Sequence, residues 1–155
     1  MARVHHRKAR KNYKDHGIKK GDMYYYVKIK TGPRSSRVIR SLKPPKRSQL
    51  TSSSYLSQLY DIEDNIAAMT EINEAADYAE QLRTLGEEQR DNLSNMPDSL
   101  QQSETGQMLE ERADACDSAA DEIESIVSEW ESSADEEDDR EDAPFIEQMQ
   151  AISIG

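Results

Sequence analysis

The sequence predicts an α+β protein that is mainly α: a small basic β-hairpin, then an antiparallel helical hairpin or coiled coil, then a disordered acidic tail. Three observations lead there. Residues 23–30, MYYYVKIK, alternate as a half-buried strand does; apolar residues recur at spacings of four and three along 55–69 and again along 109–130; and a run of acids follows. Only 35% of the 155 residues are hydrophobic while 33% are charged, and one Trp, one Phe and six Gly argue against a β-sandwich or a doubly wound sheet.

Three segments are expected: a basic arm and β-hairpin at 1–50, a helical hairpin at 51–132, and an acidic tail with a short apolar tip at 133–155. The first twenty residues show no steady apolar period. They read as a flexible or locally turned basic arm, with Gly17 and Gly21 marking turns. Alternation over 23–30 then sets Tyr25, Val27 and Ile29 on one side of a strand and Tyr24, Tyr26, Lys28 and Lys30 on the other. After a turn at 31–35, the β-branched run at 37–42 returns antiparallel, and KPPK at 43–46 ends it because proline donates no ladder hydrogen bond. Two strands are marginal in water, so the Tyr25, Val27 and Ile29 face needs cover from the first helix or from a third strand supplied by the arm.

RSQLTSSS at 47–54 supplies hydroxyl caps, and Tyr55, Leu59, Ile62, Ile66 and Met69 follow as a helical seam. Ile72, Ala76, Ala79 and Leu82 extend it, either as one long helix or as two broken near Thr70. The connector is SNMPDSLQQSETG at 94–106. Beyond it Leu109, Ala113, Cys116, Ala120, Ile123, Val127 and Trp130 keep the four-three alternation, a seam that needs either the preceding helix or a second chain against it. SADEEDDREDAP at 133–144 is too charged to bury, and the tip beginning Phe145 and Ile146 reads as a docking peptide.

Charge is divided rather than averaged. Residues 1–50 hold sixteen Lys or Arg against Asp15 and Asp22, and 51–155 hold the other four against twenty-nine acids, so a chain of net charge −11 is +14 in its first part and −25 in the rest. Such a division points to an arm that binds polyanions and a body that repels them or meets basic surfaces. The nucleic-acid candidates are Tyr24 and Tyr26, for stacking on unpaired bases, with Lys28, Lys30, Arg34, Arg37, Arg40, Arg7, Lys8, Arg10 and Lys11 for phosphates. Single strands are favoured on that reading. The competing one is a solvated strand face whose tyrosines cover a helix. For protein interaction the candidates are Leu109, Cys116, Ile123 and Trp130 on the seam and Phe145 and Ile146 in the tip, with self-association also open.

Other chemistry is not expected. His5, His6 and His16 lack a carboxylate or thiol cluster to complete a metal site, Cys116 is the single cysteine and falls on the apolar seam, and DEEDDRED lacks calcium-loop spacing and its central glycine. HGIKKGD lacks the spacing of a phosphate loop. No convergent set of titratable groups marks an enzyme, and no cofactor site is read. MARVHHRKARK has no apolar core after it and is not read as a secretory signal; no run approaches the roughly 20 apolar residues of a membrane span.

Taken together, RKARKNY, HGIKKGDMYY, PPKRSQLT, SYLSQLYDIED and NMPDSLQQ followed by TGQMLEER resemble a set of small bacteriophage proteins over about residues 7–126. The resemblance implies a phage origin and a place in the host cytoplasm or in the virion; it carries no activity or site residues over. Members of that set are heavier in tryptophan along the strand, where YYYVKIK stands here. The hairpin is also similar in outline to the small sheet domains at the N-terminus of phage integrases, a likeness of fold alone. The expectation is therefore a non-enzymatic phage accessory protein, with a nucleic-acid-contacting hairpin joined to an acidic protein-interaction module. The alternatives are a DNA-mimicking inhibitor of a host protein and a virion or assembly component.

Overall fold

A computed structural model describes residues 2–133, 142–152 and 154. The chain is α+β and mainly α, a three-stranded antiparallel sheet followed by helices. Its contacts divide it into two compact units, residues 1–61 and 62–155.

In the first unit the sheet runs β1 (Val4–Lys8), β2 (Met23–Lys30), β3 (Ser36–Ser41), with β2 central. The third strand comes from the basic arm, one of the two covers expected for the hairpin, so residues 4–8 are paired and not flexible while 9–22 are locally turned: Val4 stands opposite Val27 and Lys8 opposite Met23. The reason is the one anticipated for the hairpin, that two strands bury too little. Residues 9–22 are tied down by Ala9 N donating to Asp22 O (2.8 Å), Gly21 N to Ala9 O (2.9 Å) and Tyr13 N to Ile18 O (2.8 Å). Gly17 and Gly21 turn this loop at φ of 66° and 102°, a region that side chains with a Cβ avoid. The β2–β3 turn closes through Thr31 N to Ser35 O at 3.1 Å.

Val27 and Ile29 are buried on one sheet face, as alternation requires. Ala2 N donates to Leu50 O (3.0 Å), and Ser57 Oγ donates to the carbonyl of buried Ser48 (3.0 Å). Helix α1 (Ser54–Ala68) begins in this unit with Tyr55 and Leu59 buried and passes into the second with Ile62 and Ile66.

In the second unit the chain breaks after α1, tightens into a 3-10 turn at Ile72–Glu74, and resumes as α2 (Ala75–Ser94). The break resets the helical phase. Ala75 is buried and Ala76 exposed, so the expected continuation through Ala76 is corrected by one position. A short α3 (Asp98–Gln101) leads into α4 (Glu104–Ser132), capped by Ser103.

Helices α2 and α4 pack along their length. Their sense is antiparallel, since Arg83 meets Asp121 and Glu124 while Arg90 meets Asp114 and Asp117. Gly86 marks a close approach of the two helices: a Cβ there would lie 3.2 Å from Ala113 O and 3.4 Å from Cys116 Cβ. Ala119 and Ile126 are buried in addition to the seam, and Leu109, Val127 and Trp130 are half-buried, so the buried face of α4 is wider than a two-helix contact requires. A second element meets that helix, α5 (Ala143–Gln150).

Helix α5 corrects the expectation of a tail disordered to its end. Met149 and Ile154 are buried, Trp130 Nε1 donates to Asp142 Oδ1 at 2.9 Å, and Gln150 Nε2 donates to Ala67 O at 3.3 Å. Eight residues with an apolar stripe gain more by covering a neighbouring helix than by staying in water. Of the acidic stretch 133–144 expected to be disordered, residues 134–141 lie outside the described residues, while Ala143 and Pro144 open α5.

Candidate nucleic-acid interface

Cross-strand pairing decides which cations share a face. Tyr26 of β2 stands opposite His5 of β1 and Arg40 of β3, while Arg7 stands opposite Tyr24. Paired residues project to the same side, so Arg7, Tyr24, Tyr26, Lys28, Lys30 and Arg40 lie on one face, opposite to Val27 and Ile29. Arg37 pairs with Ile29 and falls on the other face, where its Nη2 donates to Gln49 O at 3.5 Å. Arg34 is exposed in the β2–β3 turn.

Tyr24 does not offer the open stacking face that alternation suggested, and Tyr26 is half-buried. Tyr24 is only 6% exposed and packs with Ala9 and Ile18, against which Tyr13 and Tyr26 also lie. The loop between β1 and β2 folds over this face and supplies Ala9, Tyr13 and Ile18. The Tyr24 phenol is pushed above the ordinary tyrosine range, first by the hydrogen bond with Tyr13 and then by burial, against the opposing pull of Arg40 and Arg7. A base has no open ring face to stack on at Tyr24.

Cations occupy the remaining rings. Arg7 lies over the Tyr26 ring with Cζ 5.0 Å from the centroid, and Arg40 lies 5.0 Å from the Tyr13 centroid and 5.7 Å from that of Tyr26. Lys11 Nζ is 5.6 Å from the Tyr13 ring. Such contacts are worth about 0.5–1 kcal/mol when exposed and about 2 when desolvated, and they hold planar groups at defined positions. His6 stacks on Tyr25 at 4.7 Å on the other face of the sheet, in keeping with a structural role for that histidine.

Beside these rings is a cleft of about 690 Å³ lined by Arg7, Lys8, Ala9, Arg10, Tyr13 and Tyr24. Its charged walls are all cationic. Asp15 and Asp22 are the only acids in the first fifty residues, and Asp22 Oδ2 accepts from Lys19 N at 2.8 Å in the turn. Arg40 Nε is buried and donates to no acceptor among the described residues. A buried donor without a partner carries a desolvation cost of about 1–3 kcal/mol, so this one stands out among the described residues.

The structure thus brings together Arg7, Lys8, Arg10, Lys11, Arg40 and the two tyrosines, with Lys28 and Lys30 further along the same face, and separates Arg34 and Arg37 from them. Tyr13 belongs to the site and was not among the sequence candidates. Its signal was faint: a tyrosine between basic residues, four positions before Gly17, is placed only once the loop closes Tyr13 on Ile18.

The protein-interaction candidates on the seam are displaced too. Cys116 and Ile123 are buried in the second unit's own core. The preceding helix is joined by a short connector and covers them first. Trp130, Phe145 and Ile146 are half-buried around α5, which is therefore a docked helix and not a free docking peptide. Among the described residues no group of three or more His, Cys, Asp or Glu is arranged to hold a metal ion, and no helix is long and apolar enough to cross a membrane.

Comparison with protein-family models, with curated proteins and with solved structures finds no match.

Proposed function

We propose that this chain is a non-enzymatic accessory protein of a bacteriophage, acting in the host cytoplasm, that contacts nucleic acid through the basic sheet face of its first unit and a protein through the acidic helices of its second. The observation that supports it most is the pair of guanidinium groups, Arg7 and Arg40, held over tyrosine rings on a face that also carries Lys28 and Lys30. Structural cations ordinarily pair with carboxylates. Here the surrounding segment has two acids to sixteen bases, which leaves the charge for an outside polyanion.

Binding to a phosphate backbone releases counterions, so affinity should fall with salt at a log-log slope of about −0.7 per phosphate neutralised on single strands and about −0.9 on duplex. A salt titration of the full chain against labelled oligonucleotides tests this. A slope near zero overturns the reading. Affinity purification from infected cells with and without nuclease tests the protein arm: a partner that survives nuclease treatment is bound through the helices, and one lost with the nucleic acid is not.

A further inference from the structure

Resting on that reading, we propose that the loop-covered sheet face holds a seat for one phosphate group built around Arg40, and that Tyr13 and Tyr26 serve to hold its guanidinium and not to stack on bases. Three observations converge on it. Arg40 lies over both rings, at 5.0 and 5.7 Å; its Nε is buried without an acceptor among the described residues; and the Tyr13 ring it covers also lines the cationic cleft with Arg7, Lys8 and Arg10.

The chemistry selects phosphate. A guanidinium presents two parallel N–H groups to a tetrahedral oxyanion, a fit that the ammonium of lysine lacks, and a stacked guanidinium has already lost the rotational freedom that binding would otherwise remove. Arg7, Lys8 and Arg10 line the cleft beside Tyr13 and Lys11 lies over the same ring, while neither of the loop's two acids, Asp15 and Asp22, lines that cleft, and Asp22 accepts from Lys19 N in the turn. The rings a base would need are beneath Arg7 and Arg40 or buried in the Ala9, Ile18 and Tyr24 cluster. The seat therefore takes the backbone and disregards base identity, and it is indifferent to whether the strand is paired. The phosphate is either an internal diester or a terminal monoester.

The test is fluorescence anisotropy with the full chain on one oligonucleotide sequence, single-stranded and duplex, each carrying a 5′-hydroxyl or a 5′-phosphate. Arg40→Lys keeps the charge and removes the fork, and it should weaken binding about tenfold on both strand forms. Tyr26→Leu should cost a similar factor, Tyr26→Phe should bind like wild type, and combining Arg40→Lys with Tyr26→Leu should cost no more than either alone, because both remove one unit. Lys28→Gln, an exposed cation on the same face, should give a smaller loss that salt reduces further.

Equal affinity for the two 5′ ends assigns the seat to an internal diester; a preference for the 5′-phosphate that disappears in Arg40→Lys assigns it to a strand end. Either supports the seat. Arg40→Lys binding within about twofold of wild type overturns it. So does a loss in Tyr26→Leu confined to single strands and additive with Arg40→Lys, the signature of base stacking. Should Tyr26→Leu fail to fold, Arg40→Lys and Tyr26→Phe decide alone. Wild-type protein that binds neither strand form removes the nucleic-acid reading itself, whereas wild-type binding with an unaffected Arg40→Lys removes only the seat.

Discussion

Arg83 of α2 forks onto Glu124 of α4, its Nε donating to Oε1 at 3.0 Å and its Nη2 to Oε2 at 2.7 Å, while Asp121 accepts a further bond from Nη2 at 2.7 Å. Two turns further along α2, Arg90 bridges to Asp114 and Asp117. These are two of the four basic residues in an otherwise acidic stretch, and both link the same pair of helices.

That relationship predicts acid sensitivity. Arg83 holds Glu124 below the ordinary glutamate value of 4.5, so the folded carboxyl binds its proton less readily than the unfolded one. The contribution is present above 4.5 and is lost as pH falls through the lower folded value. The melting temperature of the wild type should drop more steeply on acidification than that of Arg83→Met. Parallel curves would show that the exposed fork adds nothing, as many surface pairs do.

Gly106 should resist replacement even by the best helix former. It sits in the first turn of α4, and a Cβ would stand 1.9 Å from the Gln101 carbonyl oxygen, a backbone atom that cannot swing aside. Alanine gains about 1 kcal/mol of helix propensity. The clash should outweigh that and leave Gly106→Ala destabilised by about 1–3 kcal/mol. A rise in its melting temperature would mean that α3 and the start of α4 separate freely.

Met149→Ala should destabilise the second unit by about 2–5 kcal/mol, the usual range for emptying a buried site of that size. Met149 is 1% exposed although it lies near the end of the chain. Chemical denaturation followed by circular dichroism measures it. Unchanged stability would return α5 to the role of a free docking peptide.

Tyr24 gives the first unit an alkaline limit. Its folded pKa is raised by the bond to Tyr13 and by burial, so the unfolded phenol ionises first. Stability is fully present below the ordinary tyrosine value of 10.0 and is lost as pH rises from there through the higher folded value. Phenolate absorbance should climb together with loss of sheet signal, and Tyr24→Phe should blunt the pH dependence. If Tyr24→Phe melts with the same alkaline dependence as wild type, that phenol is not the group involved.

How much of this was legible follows from the range of each interaction. The seam Tyr55, Leu59, Ile62, Ile66, Met69 is buried throughout as its spacing required, and the strand over 23–30 has the bounds its alternation set. The break near Thr70 was visible as an option, but not the phase reset that buries Ala75 in place of Ala76.

The candidate site divided in the same way. Its cations could be named from composition, but alternation alone set Tyr24 and Tyr26 beside Lys28 as equally exposed. Tyr24 became core because a loop from residues 9–22 laid Ala9 and Ile18 on it, and nothing in the spacing of β2 encodes what lands there.

The sequence by itself determined the α+β class, the periodic faces of β2, α1 and α4, and the separation of basic from acidic halves, because these rest on bonds and side-chain directions that repeat within a few residues. Only the tertiary structure decided that the arm is a strand, that α5 docks through Met149, and that Arg40 rests on Tyr13 and Tyr26. Each of those depends on strand register or on surfaces brought together from distant parts of the chain, where the gain from burial is shared between segments and belongs to neither one alone.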